Sequence, residues 1–194
     1  MIYADQLEQS MLELVNQERT SRSLAPLLLE VNLNKSAEDH SKWMLQENVF
    51  SHTGVNGTSP TDRIRAGGFD LSGSWGTAEN LAYQTPRGAT GYQDDVEDLH
   101  ALLMDSPSHR ANILKENLQY VGIGIEIGSF KNENGVVSDA IFVTQNFSRT
   151  QGSVDLDDLN GGQGTRVNGT DIAENLNGSA AHERIDAMGG ADWI

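Results

Sequence analysis

Val121-Gly122-Ile123-Gly124-Ile125-Glu126-Ile127 alternates strictly between branched apolar residues and small or polar ones. A two-residue period is that of a strand with one buried face. Gly122 and Gly124 fall together on the other face and leave room there for another element to approach closely. Asn132-Glu133-Asn134-Gly135 reads as a turn, and Ala140-Ile141-Phe142-Val143-Thr144-Gln145-Asn146-Phe147 as the returning strand. Helices first and a hairpin last predict an α+β fold, with helices packed on a small antiparallel sheet.

Upstream of the hairpin the pattern is helical. Leu7, Met11, Leu14 and Val15 recur at helical spacing over residues 5–22, with Asp5 as N-cap. Ala25-Pro26-Leu27-Leu28-Leu29 is an apolar connector. A second helix runs from about residue 33 to 46, with Ala37, His40, Trp43 and Met44 on one face; His40 there reads as a packing or surface residue. Ser59-Pro60-Thr61-Asp62 opens a third helix with Ser59 as cap and Pro60 at the first position, and Gly67-Gly68 stops it. Glu79-Asn80-Leu81 enters an ordered segment whose state the pattern does not assign. Gln93 to Met104 is a fourth helix, buried along Val96, Leu99, Leu102 and Leu103. Its acidic first turns complement the helix dipole and read as a solvated helix start. Ser106-Pro107 then restarts a short helix through His109, with Ser106 as cap.

The chain has 194 residues, enough for one domain and a short appendage, and 37% of them are hydrophobic. Its formal net charge is -15. Such a surface repels phosphate backbones and excludes nucleic acid as a partner. The absence of cysteine removes disulfides, thiolate metal sites and thiol nucleophiles together. No apolar run reaches the ~18 residues a membrane-spanning helix needs. The first residues, Met1-Ile2-Tyr3-Ala4-Asp5, carry neither a basic stretch nor an apolar one, so they do not read as a signal peptide. A peptide absent from this sequence, export by another route and retention inside the cell all stay open.

The last segment has a different rhythm. Val167, Leu176, Ile185 and Ile194 recur every nine residues, and Glu174, Glu183 and Asp192 keep the same period two positions earlier. Nine is the period of a parallel β-roll, in which Gly-Asp turns bind calcium between rungs. The expected division is residues 1–150 as one domain and 151–194 as an acidic, Gly-rich linker with degenerate calcium-binding repeats, or else a disordered acidic linker.

Two histidines and one carboxylate stand in separate non-helical or helix-start positions: His52, Glu79 and His109. Neutral imidazoles with a carboxylate suit a divalent ion such as zinc; without metal, the same trio suits general acid–base work. A His-Glu-x-x-His zinc-peptidase signature is absent, and so is a Gly-x-Ser-x-Gly elbow. Cap and turn duty explains Ser51, Ser106 and Ser108.

Seven blocks, in order, carry a resemblance. They are Leu14-Val15-Asn16-Gln17-Glu18-Arg19; Phe50-Ser51-His52-Thr53; Ser59-Pro60 with Arg63-Ile64 and Ala66-Gly67; Ala78-Glu79-Asn80-Leu81-Ala82; Ser106-Pro107-Ser108-His109-Arg110-Ala111-Asn112-Ile113-Leu114; Val121-Gly122-Ile123-Gly124; and Thr144-Gln145-Asn146-Phe147. Residues 9–148 thereby resemble the CAP superfamily (also SCP: cysteine-rich secretory, antigen 5 and pathogenesis-related proteins) in its cysteine-free bacterial form. The resemblance implies a three-layer α-β-α sandwich with a central antiparallel sheet. It also implies a cleft of two His and two Glu that binds divalent metal in several members. Carried over by motif, His52, His109 and Glu79 are cleft residues. Where many relatives have Trp and, three residues on, Glu, this chain has Leu103 and Ser106, with Asp105 as the neighbouring acid. Gly161-Gly162-x-Gly164 and Gly189-Gly190-Ala191-Asp192-Trp193-Ile194 resemble, more loosely, hemolysin-type (RTX) calcium repeats. That likeness implies calcium at Glu174, Glu183 and Asp192, and secretion by a type I route without an N-terminal signal. The expected function is an extracellular binder of a divalent metal or small ligand. A metal- or His-assisted peptidase and a lipid or sterol binder are the alternatives; an extracellular protein partner would also suit the class.

Overall fold

The computed structural model describes residues 4–88, 91–132 and 134–157, and the backbone of 165–168. In chain order its elements are α1 (Gln6–Thr20), β1 (Leu28–Leu29), α2 (Val31–Glu47), α3 (Pro60–Gly67), β2 (Gly76–Gln84), α4 (Gln93–Asp105) and α5 (Pro107–Ile113). They are followed by β3 (Tyr120–Lys131), β4 (Val137–Arg149), β5 (Ser153–Leu156) and β6 (Thr165–Asn168).

The caps explain where the helices begin. Asp5 accepts from the backbone N–H of Leu7 and Glu8, while the Glu8 side chain reaches back to Asp5 N–H, a reciprocal capping box. Ser59 and Asp62 repeat this at α3, with Pro60 at the first position. Ser106 occupies the N-cap position of α5 but does not cap it: its hydroxyl faces Ser108 Oγ at 3.2 Å.

The main sheet has strand order β1-β3-β4-β2. β4 lies antiparallel to both neighbours, with Ile125 opposite Val143 and Glu79 opposite Asn146. The expected antiparallel sheet is in fact mixed, because β1 joins β3 in parallel register through Leu28↔Tyr120 and Leu29↔Val121. Two paired residues inside an apolar connector are too few for a period to show.

α1, α4 and α5 cover one face of the sheet. Met11, Leu12, Val15, Val96, Leu99, Leu103 and Ile113 pack there on Val121, Ile123, Ile125, Ile141, Val143 and Phe147. α2 covers the other face, where Met44 packs on Leu81, Phe130, Ala140 and Phe142. The result is three layers. α2 approaches β3 backbone to backbone: a Cβ built on Gly124 would lie 2.2 Å from Glu38 N, and one on Gly122 1.9 Å from the Leu33 carbonyl carbon.

Two buried charges tie the layers together. Arg19, fully buried, donates to the carbonyls of Ala25 (2.8 Å), Ile113 (2.7 Å), Lys115 (3.0 Å) and Leu118 (3.4 Å). It thereby fixes the end of α5, the helix that carries His109. Glu30, also fully buried, caps α2 at Leu33 N (2.7 Å) and accepts from Asp155 N (3.0 Å).

The second contact shows that packing continues past residue 150. Thr150 Oγ1 donates to the Asp70 carbonyl at 2.6 Å, Val154 is buried beside Leu33 and Tyr120, and Leu156 bridges Glu30. Residues 151–157 therefore pack against the same unit. β5 then pairs antiparallel with β6. Glu174, Glu183 and Asp192 lie outside the described residues.

Candidate functional site

β2 is the outer strand of the sheet, and its two faces serve the site differently. Glu79 points toward α2 and α3, and Asn80 toward α5. Glu79 is the hub: its side chain is only 1% exposed, yet both oxygens are engaged by side chains. Oε1 accepts from His52 Nδ1 at 2.8 Å, and the His52 side chain is 55% exposed. Oε2 accepts from Arg63 Nη2 at 2.6 Å. With its amide oriented to satisfy its neighbours, Asn146 also donates to Oε2 at 3.1 Å and accepts from Ala37 N at 3.3 Å.

Arg63 fixes the loop that presents His52. From α3 it donates through Nη1 to the carbonyls of His52 (2.9 Å) and Thr58 (3.0 Å) while Nη2 holds Glu79. His40 anchors the same loop from α2, with Nε2 2.9 Å from the Ser51 carbonyl. A carbonyl can only accept, so Nε2 carries the proton. His40 is 1% exposed and stacks on Trp43 at 5.6 Å. Burial first, and then the Arg63 charge, push its pKa down to about 4. It is thus a packing residue, as its place on the helix face indicated, but one that positions the loop.

His109 arrives on α5, across the edge of β2. Asn80 Nδ2 donates to the His109 carbonyl at 3.1 Å and to Gln145 Oε1 at 3.1 Å. Asn112 Nδ2 donates to Asn80 Oδ1 at 2.9 Å and to the Glu79 carbonyl at 3.4 Å. These amides lock α5 against β2. The His109 imidazole is held below its ordinary pKa by partial burial and by the proximity of His52.

The structure therefore brings His52 and Glu79 into direct contact and puts His109 within electrostatic reach of His52. Asp105 is exposed at the end of α4, and Leu103 is core, fully buried. Arg63, Asn80, Asn112 and Asn146 are site residues that the pattern of titratable groups misses. One signal was available: Thr144-Gln145-Asn146 are consecutive polar residues of β4, and all three are fully buried. Buried polar groups keep partners, so such a run marks a network.

The chemistry follows from Glu79. A carboxylate accepting from Nδ1–H selects the His52 tautomer whose Nε2 lone pair is open. This is the arrangement that orients metal-bound imidazoles. Glu79 itself has no side-chain oxygen left uncommitted. Among the described residues no group of three or more His, Asp or Glu side chains is placed to hold a metal ion. The donor set thus offers imidazole nitrogens to an occupant, with Glu79 engaged behind His52.

Residues 12–147 match the model of the cysteine-rich secretory protein family, CAP. The chain is 36% identical over 124 residues to the Bacillus subtilis (strain 168) protein YkwD, covering 63% of this chain and 44% of that one. Among solved structures it is similar to an extracellular protein containing an SCP domain from Bacillus anthracis, with TM-score 0.55 and 27% identity over 73% of this chain and 39% of the other. An outer surface protein of Borrelia burgdorferi shares the fold, with TM-score 0.51 and 20% identity, covering 75% of this chain and 96% of that one. The chain thus spans less than half of YkwD and of the Bacillus anthracis protein. No described helix is long and apolar enough to cross a membrane. The match over most of the length, with the three-layer fold and mixed sheet beneath it, gives the conclusion: this chain belongs to the CAP family.

Proposed function

We propose that this protein is an extracellular binding module whose cleft takes a divalent ion or a small ligand at the imidazole nitrogens of His52 and His109. The observation that carries this reading is the 2.8 Å contact from His52 Nδ1 to Glu79 Oε1, which leaves Nε2 open on a half-exposed ring. Depressed basicity keeps the His109 imidazole neutral, the form that binds metal or accepts a hydrogen bond. Zinc suits two imidazoles and water, and a bound ion would supply Lewis acidity there. In this chain His52 and His109 would be the donors, Glu79 would orient His52, and Arg63 would hold Glu79. Two protein ligands bind more weakly than three or four. The extracellular setting is supported by the description of the Bacillus anthracis relative. Calcium in the tail, at Glu174, Glu183 and Asp192, is a separate proposal.

Zinc titration calorimetry on the whole chain and on the His52→Ala/His109→Ala double variant tests the cleft, with calcium as control. Saturable zinc heat lost in the double variant is expected. Equal heats from the two proteins would overturn the cleft reading, and calcium heat surviving the double substitution would point to the tail.

A further inference from the structure

The two walls of the cleft share a property that an ion alone does not require. Residues 49–61, which form the wall carrying His52, contain no Asp, Glu, Lys or Arg, in a chain where 21% of residues are charged. The opposite wall opens Ser106-Pro107-Ser108-His109 and is uncharged as well. Asp105 and Arg110 bracket that stretch, and Arg110 turns back to the Met104 carbonyl at 2.9 Å. Beneath the walls, Arg63 and Glu79 are engaged with each other at 2.6 Å. A surface in a molecule of net charge -15 that carries no charge of its own is suited to a neutral occupant.

Three features of these walls stay open to such an occupant. Phe50 is 43% exposed and yet fixed. Its ring centroid lies 4.8 Å from that of Tyr83 and 5.9 Å from that of Phe142, both at steep tilts, so neither ring lies face to face with it. An exposed aromatic ring held this firmly is a pre-organised stacking platform. His52 presents the Nε2 lone pair, which accepts a hydrogen bond and so calls for a donor. Ser106 stands at the N-cap position of α5 without capping it, and its hydroxyl faces Ser108 Oγ at 3.2 Å. Forgoing a cap costs stability, and a local rule broken in this way marks a group kept for another use. Ser106 and His109 are three residues apart and share one face of α5.

Spacing sets the size of the occupant. Phe50 packs on Tyr83 and His52 on Glu79, two residues on one face of β2. They are four positions apart, about 13 Å at ~3.3 Å per residue. An ion or a single ring reaches one of the two groups; a short chain of rings reaches both. We propose that the cleft takes an uncharged oligosaccharide, laid along β2 with the C–H face of one sugar on Phe50 and the hydroxyls of another at His52 Nε2 and the Ser106–Ser108 pair. Sugar hydroxyls supply the donor that Nε2 calls for, and serine hydroxyls can both donate and accept. A peptide would be recognised through a paired backbone and pockets for alternate side chains; these walls offer a flat ring, hydroxyls and imidazole. The proposal rests on the reading of the cleft as a ligand site and deepens it.

Amide shift mapping by ¹H–¹⁵N NMR on the whole chain tests it, with cellotetraose and chitotetraose as probes. At least one of them should shift the amides of residues 50–53 and 106–109 saturably, with an affinity unchanged between low and high salt. Glucose, a single ring, should bind at least about tenfold more weakly, since it reaches only one of two groups ~13 Å apart. Phe50→Leu should weaken the tetramer about three- to tenfold and Phe50→Trp should restore it, which a merely apolar contact would not do. Ser106→Ala should weaken it too. No response to either tetramer, equal binding of glucose, or equal binding of the cationic chitosan tetramer at the same amides would each overturn the proposal. So would saturable binding there of the end-blocked peptide Ser-Thr-Ser-Thr in place of the sugars. Zinc calorimetry on the same sample separates the two readings: zinc heat without a sugar response sinks the oligosaccharide and leaves the cleft, and loss of both sinks both.

Discussion

Glu79→Gln separates what Glu79 does as a charge from what it does as a hydrogen-bond acceptor. The substitution keeps the volume and leaves one acceptor oxygen. Arg63 Nη2, 2.6 Å from Oε2, has a side chain only 10% exposed, so the oxygen must stay turned to it. The new amide nitrogen then faces His52 Nδ1. An N–H cannot meet an N–H there, so the imidazole changes tautomer: Nδ1 becomes the acceptor and Nε2 takes the proton. The lone pair that the native site presents to the cleft is lost with His52 still in place. Stability falls as well, because a buried charge-assisted bond becomes a neutral one while Arg63 keeps the carbonyls of His52 and Thr58. We expect a loss of about 2–4 kcal/mol, below that of removing a buried partner outright. Long-range ¹H–¹⁵N correlation of the imidazole reads the tautomer directly, and urea unfolding reads the stability. A variant whose His52 keeps its proton on Nδ1, or one that unfolds with native stability, would refute the reasoning.

Three further outcomes follow from the packing. Arg19→Met leaves four carbonyls without their donor, those of Ile113 and Leu118 buried; a destabilisation of about 3 kcal/mol is expected by urea unfolding, and less than about 1 kcal/mol would mean water replaces the guanidinium without loss. Gly124→Ala forces a Cβ to within 2.2 Å of the α2 backbone, so it should cost about 3 kcal/mol or more and shift the amide resonances of α2, whereas an unchanged melting temperature would show that α2 can simply move. Stability should also depend on pH with opposite signs on two sides. Burial raises Glu8 to about 8 and Glu30 and Glu38 to about 7, all above their unfolded values. The native state therefore holds more protons there, and stability falls as pH rises from about 4.5 to 8, by the order of 2 kcal/mol from Glu8 alone over the last one and a half pH units. His40, pushed down to about 4, acts in reverse: its contribution is present above about pH 6.5 and is lost as pH falls. Three carboxyls outweigh one imidazole, so thermal unfolding should be more resistant near pH 5 than near pH 8, and a melting temperature that climbs steadily to pH 8 would contradict this assignment.

Much of the architecture was legible because it rests on local physics. Asp5 and Ser59 sit where an N-cap must sit, and the structure shows both capping boxes. The alternation in 121–127 survives as β3, and the glycine face proves to be where α2 presses on the strand. β2 was not legible as a strand, because Gly76–Gln84 carries Glu79 and Asn80 for the site where an ordinary strand would alternate. Its pairing with β4 overrides the weak local signal.

The sequence by itself determined the helices and the hairpin and singled out His52, Glu79 and His109 as candidates for one cleft, since caps, periods and motifs are properties of neighbours along the chain. Only the tertiary structure decided how that cleft is wired. Whether Glu79 faces an ion or stands behind His52 depends on Arg63 and Asn146, which come from α3 and β4. The same holds for Arg19, whose partners lie up to 99 residues away, and for the strap at 151–157, held by a glutamate that also caps α2. Partners so far apart in the chain leave no periodic trace, because a buried polar group is satisfied by whatever the fold brings next to it.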